Sequence, residues 1–75
     1  MDIEDKVLLL AILKKEADEK LEDILMMLEN SRVFTLKEGK KRARRLREEG
    51  YLQDGELTFK GEVAAKGAEA EFKLP

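Results

Sequence analysis

The stretch ARRLREEGYLQDGELTFKG, residues 43–61, decides how the rest of the chain is read. At its centre Asp54-Gly55 separates two short alternating runs, Tyr51-Leu52-Gln53 and Glu56-Leu57-Thr58. A two-residue hairpin loop of type I′ needs positive φ at both central positions, and Asp-Gly supplies both at little steric cost. The spacing predicts a hairpin over about 51–58. Gly50 suits the left-handed position just past a helix, and Thr58 suits the cap of the next one.

Upstream of the hairpin the sequence predicts a helix over 36–49. Thr35-Leu36-Lys37-Glu38 fits a capping box: the Thr35 hydroxyl accepts from the Glu38 amide, and the Glu38 carboxylate returns to the Thr35 amide. Leu36, Gly39, Ala43 and Leu46 share one side, the expected buried seam. Lys37, Lys41, Arg44 and Arg45 lie opposite. Lys40 and Arg47 flank them, with Arg42 on the other flank. Such a helix is about 21 Å long and fits a DNA major groove.

Further out, a first helix is expected over about 3–16, capped by Asp2. Glu4 and Asp5 favour its positive end, and Lys14 and Lys15 its negative end. Ile3, Val7, Leu10 and Ala11 share one face, while Leu8, Leu9, Ile12 and Leu13 spread around the others. A helix apolar on most sides needs cover on more than one, from later elements or from a second copy. A second helix is expected over about 19–29, capped by Asp18 and closed by Asn30. Its stripe is Leu21, Ile24, Leu25 and Leu28, with Met26 opposite.

The connector Arg32-Val33-Phe34 carries apolar anchors. A fourth helix is expected over 59–72, rich in small residues. Gly61 and Gly67 each weaken it by about 1 kcal/mol relative to alanine, and both permit close approach of another helix. Lys73-Leu74-Pro75 should fray. The fold class is therefore mainly α with a small β-hairpin (α+β), in a single domain over residues 1–75.

Composition excludes several functions. Histidine and cysteine are absent and Ser31 is the only serine, so the usual general base and nucleophile pairs are missing. No enzyme, metal site, cofactor or small-molecule site is expected. The glycines never assemble into a phosphate-binding loop. The N-terminus is acidic, and the longest apolar run, Val7 to Leu13, is far short of the about 20 residues that a bilayer span needs. A soluble, cytoplasmic protein with no membrane partner is expected.

Charge is segregated along the chain. Residues 1–31 carry net −5, residues 32–47 net +7 and residues 48–75 net −4. The overall −2 thus hides one cationic element between acidic flanks. Crowded like charge needs anions nearby, either the chain's own carboxylates or a polyanion.

With three helices before it, Leu46-x3-Gly50-Tyr51-Leu52, followed after the turn by Leu57-Thr58-x2-Gly61, resembles the winged-helix DNA-binding domains of small prokaryotic transcription regulators. The resemblance spans about residues 3–68. It implies a helix-turn-helix whose recognition helix is 36–49, a wing tip at Asp54-Gly55, and Leu46, Leu52 and Leu57 in the core. It implies double-stranded DNA as partner, with Arg32, Lys37, Lys40, Lys41, Arg44 and Arg45 at phosphates and Arg44 or Arg45 able to reach guanine. A homodimer through the first or the C-terminal helix would double those contacts. The wing carries Asp54 and Glu56 but no Lys or Arg, so readout would rest on the helix. The 30–35 connector is longer than the usual three- or four-residue turn. The alternative is a winged-helix protein–protein interaction or dimerisation module without direct DNA binding. The acidic wing, the apolar first helix and the lack of Asn or Gln on the cationic face fit that alternative.

Overall fold

In the computed structural model, which describes residues 1–73, six elements follow one another. They are α1 (Ile3–Leu13), α2 (Leu21–Asn30), α3 (Leu36–Glu48), β1 (Leu52–Gln53), β2 (Glu56–Leu57) and α4 (Phe59–Phe72). The fold is mainly helical with one two-stranded antiparallel hairpin, the expected α+β class in a winged-helix-like order. Leu74 and Pro75, expected to fray, lie outside the described residues.

The hairpin forms as its Asp-Gly demands. Asp54 has φ 53° and Gly55 φ 79°, and the pairs are Leu52↔Leu57 and Gln53↔Glu56. Before it, Gly50 at φ 89° ends α3: its N–H donates to the Arg47 carbonyl at 3.0 Å, and the Tyr51 N–H to the Leu46 carbonyl at 2.9 Å. After it, Thr58 ties three segments together. Its hydroxyl donates to the Gly50 carbonyl at 2.6 Å and accepts from the Gly61 N–H at 3.1 Å, while its own N–H donates to the Tyr51 carbonyl at 3.0 Å.

The close approach that glycine permits in α4 is to this hairpin, not to another helix. A Cβ on Gly61 would stand 2.0 Å from the Tyr51 carbonyl oxygen. A Cβ on Gly67 would meet nothing within 4 Å.

The first helix is shorter than the expected 3–16. It closes at Lys14, and a turn at residues 16–19 follows, in which the Glu16 N–H donates to the Glu19 carboxylate at 2.7 Å. The second helix accordingly starts at Leu21 rather than 19, and Asp18 does not cap it. Lys20 holds the cap position, and the Asp23 carboxylate accepts from its N–H at 2.9 Å. This late start lets Lys15 fold its stem against the protein and reach Glu56 of β2 at 2.9 Å.

At its other end, α2 closes not on Asn30 but through Arg32, at φ 62°. The Arg32 N–H donates to the Glu29 carbonyl and the Val33 N–H to the Leu28 carbonyl, both at 2.9 Å. These two bonds satisfy carbonyls that the helix end would otherwise leave open, usually with glycine in that left-handed position.

The core gathers Leu8, Leu9 and Ile12 of α1, Ile24, Leu25 and Leu28 of α2, Phe34, Ala43 and Leu46, Leu52 of the hairpin and Ala65 of α4. The inward face of α1 is thus 5/8/9/12 rather than the expected 3/7/10/11, and Ile3 is 64% exposed. Leu8 and Leu9 are fully buried by the chain's own later elements, so burial of α1 requires no second copy.

Candidate nucleic-acid interface

Helix α3 is positioned from three sides. Thr35 caps it, its hydroxyl accepting from the Glu38 N–H at 3.1 Å. The reciprocal half of the expected capping box is absent. Glu38 lies 3.6 Å from Arg42 instead, and Glu29 accepts from the neighbouring Leu36 N–H at 2.7 Å. Gly39, Ala43 and Leu46 form the expected inner seam with Leu36 half-buried. Gly39 admits the Phe34 ring so closely that a Cβ there would stand 2.7 Å from it.

The third support is ionic, and the sequence reading missed it. Asp5 is 4% exposed and faces α3. Its carboxylate accepts from Arg42 at 3.0 Å and also from Arg45. Arg42 is itself mostly buried and further meets Asp2 at 2.9 Å, Glu4 at 3.5 Å and Glu38 at 3.6 Å. Burying a carboxylate is costly without a hydrogen-bonded ion pair. Here two guanidiniums one helical turn apart supply it, and they fix the rotation of α3 about its axis.

The electrostatics follow the geometry. The Asp5 backbone N–H, and after it Arg42, hold the Asp2 carboxyl below its ordinary value near 3.8. Hydrogen bonding to Asp2, outweighing desolvation, pushes the Arg42 guanidinium further up. Of the Arg42 donors, Nε is buried without a partner.

This clamp divides the basic residues. Lys37, Lys40, Lys41 and Arg44 are exposed along the outer face of α3, and Arg32 is exposed in the connector that leads into it. None of the five makes an ion pair among the described residues. Arg45, expected to belong with them, is half-exposed but turned to α1 and held by Asp5.

Arg47 was not among the expected contacts, yet it is exposed and also unpaired among the described residues. With Lys40 and Arg44 it walls a groove of about 450 Å³ between α2, α3 and the hairpin turn, floored by Leu25 and Leu52. Its place on the wheel beside Lys40 was the signal available. Lys60 does not join this set: it donates to the Glu49 carbonyl at 2.7 Å and lies 4.4 Å from the Tyr51 ring centroid.

The hairpin adds no positive charge. Asp54 is exposed at its tip, and Glu56 is taken by Lys15. No group of potential metal ligands occurs among the described residues, and no described helix is long and apolar enough to cross a membrane. Comparison with family models, with curated proteins and with solved structures returns no match.

Proposed function

We propose that this protein is a small winged-helix DNA-binding module, acting as a minimal transcription regulator in the cytoplasm. The observation that carries the proposal is the row of cations that the chain leaves unneutralised. Arg32, Lys37, Lys40, Lys41 and Arg44, joined by Arg47, stand exposed while carboxylates are abundant elsewhere. Duplex DNA supplies the missing anions at regular spacing, and α3, at 13 residues or about 20 Å, has the dimensions of a major-groove helix.

Within this reading most of the six are phosphate contacts, which set register and orientation. Arg44, in the middle of the outer face, is the candidate for a guanine edge. Arg45 and Arg42 position the helix through Asp5 and do not touch DNA. The acidic hairpin stays off the phosphates and disfavours the wrong docking orientation.

The test is a fluorescence-anisotropy titration with random duplex DNA between 50 and 200 mM salt. Five phosphate contacts, with Arg44 at a base edge, predict a slope of log K on log salt of about −4.5, and Lys37→Gln with Lys41→Gln should reduce its magnitude by about 2. Affinity that ignores salt, or no binding at 50 mM, defeats the proposal. The second reading, a protein-interaction module, is favoured by one observation, the exposed Phe59 and Val63 on α4, and predicts self-association without a DNA shift.

A further inference from the structure

The groove of about 450 Å³ between α2, α3 and the hairpin turn offers more than a phosphate chain can use. Its α3 wall is basic. Lys40, Arg44 and Arg47 stand at i, i+4 and i+7, exposed and without an ion pair among the described residues. Its floor is apolar, formed by Leu25, Ala43 and Leu52 with the half-buried Leu21. The aliphatic stems of the three cations carry that lining up the wall. A phosphodiester would meet the charges and leave the apolar floor uncovered.

We propose that this groove binds a small amphiphilic carboxylate, with its head on the α3 cations and its apolar body over Leu25 and Leu52. The volume lies within the about 300–1,000 Å³ of small-molecule sites, and an apolar lining with a few convergent polar groups is their usual build. Guanidinium forks suit a carboxylate, which they can bind through two parallel hydrogen bonds. The opposite rim carries Glu22 and Asp54, also unpaired among the described residues. These acids repel a second anionic group on that side, so the ligand is a monoanion and its head turns to α3.

The shape favours a small molecule over a peptide. The turn sits against α2, where a Cβ on Gly55 would stand 3.6 Å from the Leu21 Cβ. The groove is therefore a recess bounded by three elements, with no passage between α2 and the turn for a continuous chain. Sequence alone gives no small-molecule site, because the recess exists only once three separate segments meet. Lys40, Arg44 and Arg47 also belong to the proposed DNA face, so ligand and duplex should exclude each other. That consequence rests on the DNA reading; the site itself does not.

A backbone-amide NMR titration of the full chain with octanoate, without DNA, tests it. Saturable shifts should gather at Leu25, Ala43, Leu52 and Gly55. Acetate, which lacks the body, and octanol, which lacks the charge, should each bind at least about tenfold more weakly. Lys40→Gln/Arg47→Gln should weaken octanoate at least about tenfold and keep the wild-type melting temperature, since both side chains are exposed and unpaired. Lys66→Gln/Lys73→Gln removes the same charge far from the groove and should leave octanoate binding unchanged. Absence of saturable shifts at millimolar octanoate, shifts scattered over the surface, acetate or octanol matching octanoate, or equal losses in the two double variants overturns the proposal. A chain that binds octanoate in the groove but no duplex keeps this proposal and loses the DNA reading.

Discussion

Replacing each glycine of α4 by alanine should move stability in opposite directions. At either site alanine favours the helix by about 1 kcal/mol. At Gly67 nothing stands within 4 Å of the new Cβ, so the whole gain should appear. At Gly61 the Cβ would lie 2.0 Å from the Tyr51 carbonyl oxygen, 3.0 Å from its carbon and 3.2 Å from a Leu57 methyl. An ordinary contact requires the hairpin and the start of α4 to separate by more than about 1 Å.

That movement pulls on two bonds, from the Thr58 N–H to Tyr51 and from the Thr58 hydroxyl to Gly50. Each contributes about 1 kcal/mol, and forced overpacking costs about 1–3 kcal/mol more. Less the helix gain, Gly61→Ala should destabilise by about 2–4 kcal/mol, a large share of the about 4–11 kcal/mol available to a chain of this size. Urea titration reads this directly as a shift in midpoint at constant slope. In thermal melts Gly67→Ala should rise by about 4–8 °C and Gly61→Ala fall by at least about 8 °C. If Gly61→Ala matches or exceeds the wild type, the Tyr51–Gly61 contact does not hold the hairpin against α4.

Three further outcomes follow from single residues. Arg32→Gly should stabilise by about 1 kcal/mol, because glycine adopts φ 62° without the Cβ penalty, and should at the same time weaken DNA affinity; a melt and an anisotropy titration on one sample check both. Asp5→Asn should cost about 2 kcal/mol in urea unfolding, less than the about 3–5 kcal/mol for a fully buried pair, since Arg42 keeps Asp2, Glu4 and Glu38. Asp2 is held below its ordinary value of 3.8, so its contribution is present above that pH and is lost as pH falls through the lower folded value. Asp2→Asn should therefore flatten the fall of melting temperature on acidification below about pH 4, while the cap to the Asp5 amide persists.

What could be read from the sequence was local chemistry. Asp54-Gly55 set the hairpin, and Asp2, Thr35 and Thr58 each cap the helix assigned to them. Of the Leu21/Ile24/Leu25/Leu28 stripe the last three are buried and Leu21 is half-buried, and in the seam of α3 Gly39, Ala43 and Leu46 are buried with Leu36 half-buried. What escaped depends on neighbours distant in the chain. Asp5 looks like an acid complementing a helix dipole, yet it shares the i, i+3, i+4, i+7 stripe with Leu8, Leu9 and Ile12. Only the arrival of Arg42 and Arg45 from α3 lets a carboxylate occupy that inner position. The left-handed Arg32 escaped for a related reason. No propensity favours arginine there, and the conformation holds because Leu28 and Glu29 carbonyls take its flanking amides.

The same clamp bears on how the cationic element should be understood. A basic helix fully neutralised by its own domain would be a structural device and nothing more. In α3 the neutralisation is confined to one flank. Asp2, Glu4 and Asp5 reach Arg42 and Arg45, whose separation of one turn matches a single contact line with the start of α1. Lys37, Lys40, Lys41 and Arg44 lie beyond that line, where α1 has no side chain to offer. Glu22 and Asp54, and Glu38 and Glu48, line the same depressions as Lys40, Lys41 and Arg44 without forming an ion pair to them, so the repulsion is only partly offset within the chain and an external anion can relieve it further. A domain selected for stability alone could exchange Lys41 or Arg44 for glutamate and gain pairs one turn away on its own helix. That it instead carries acids on the flank and leaves the ridge bare is what makes a polyanion the partner to test first.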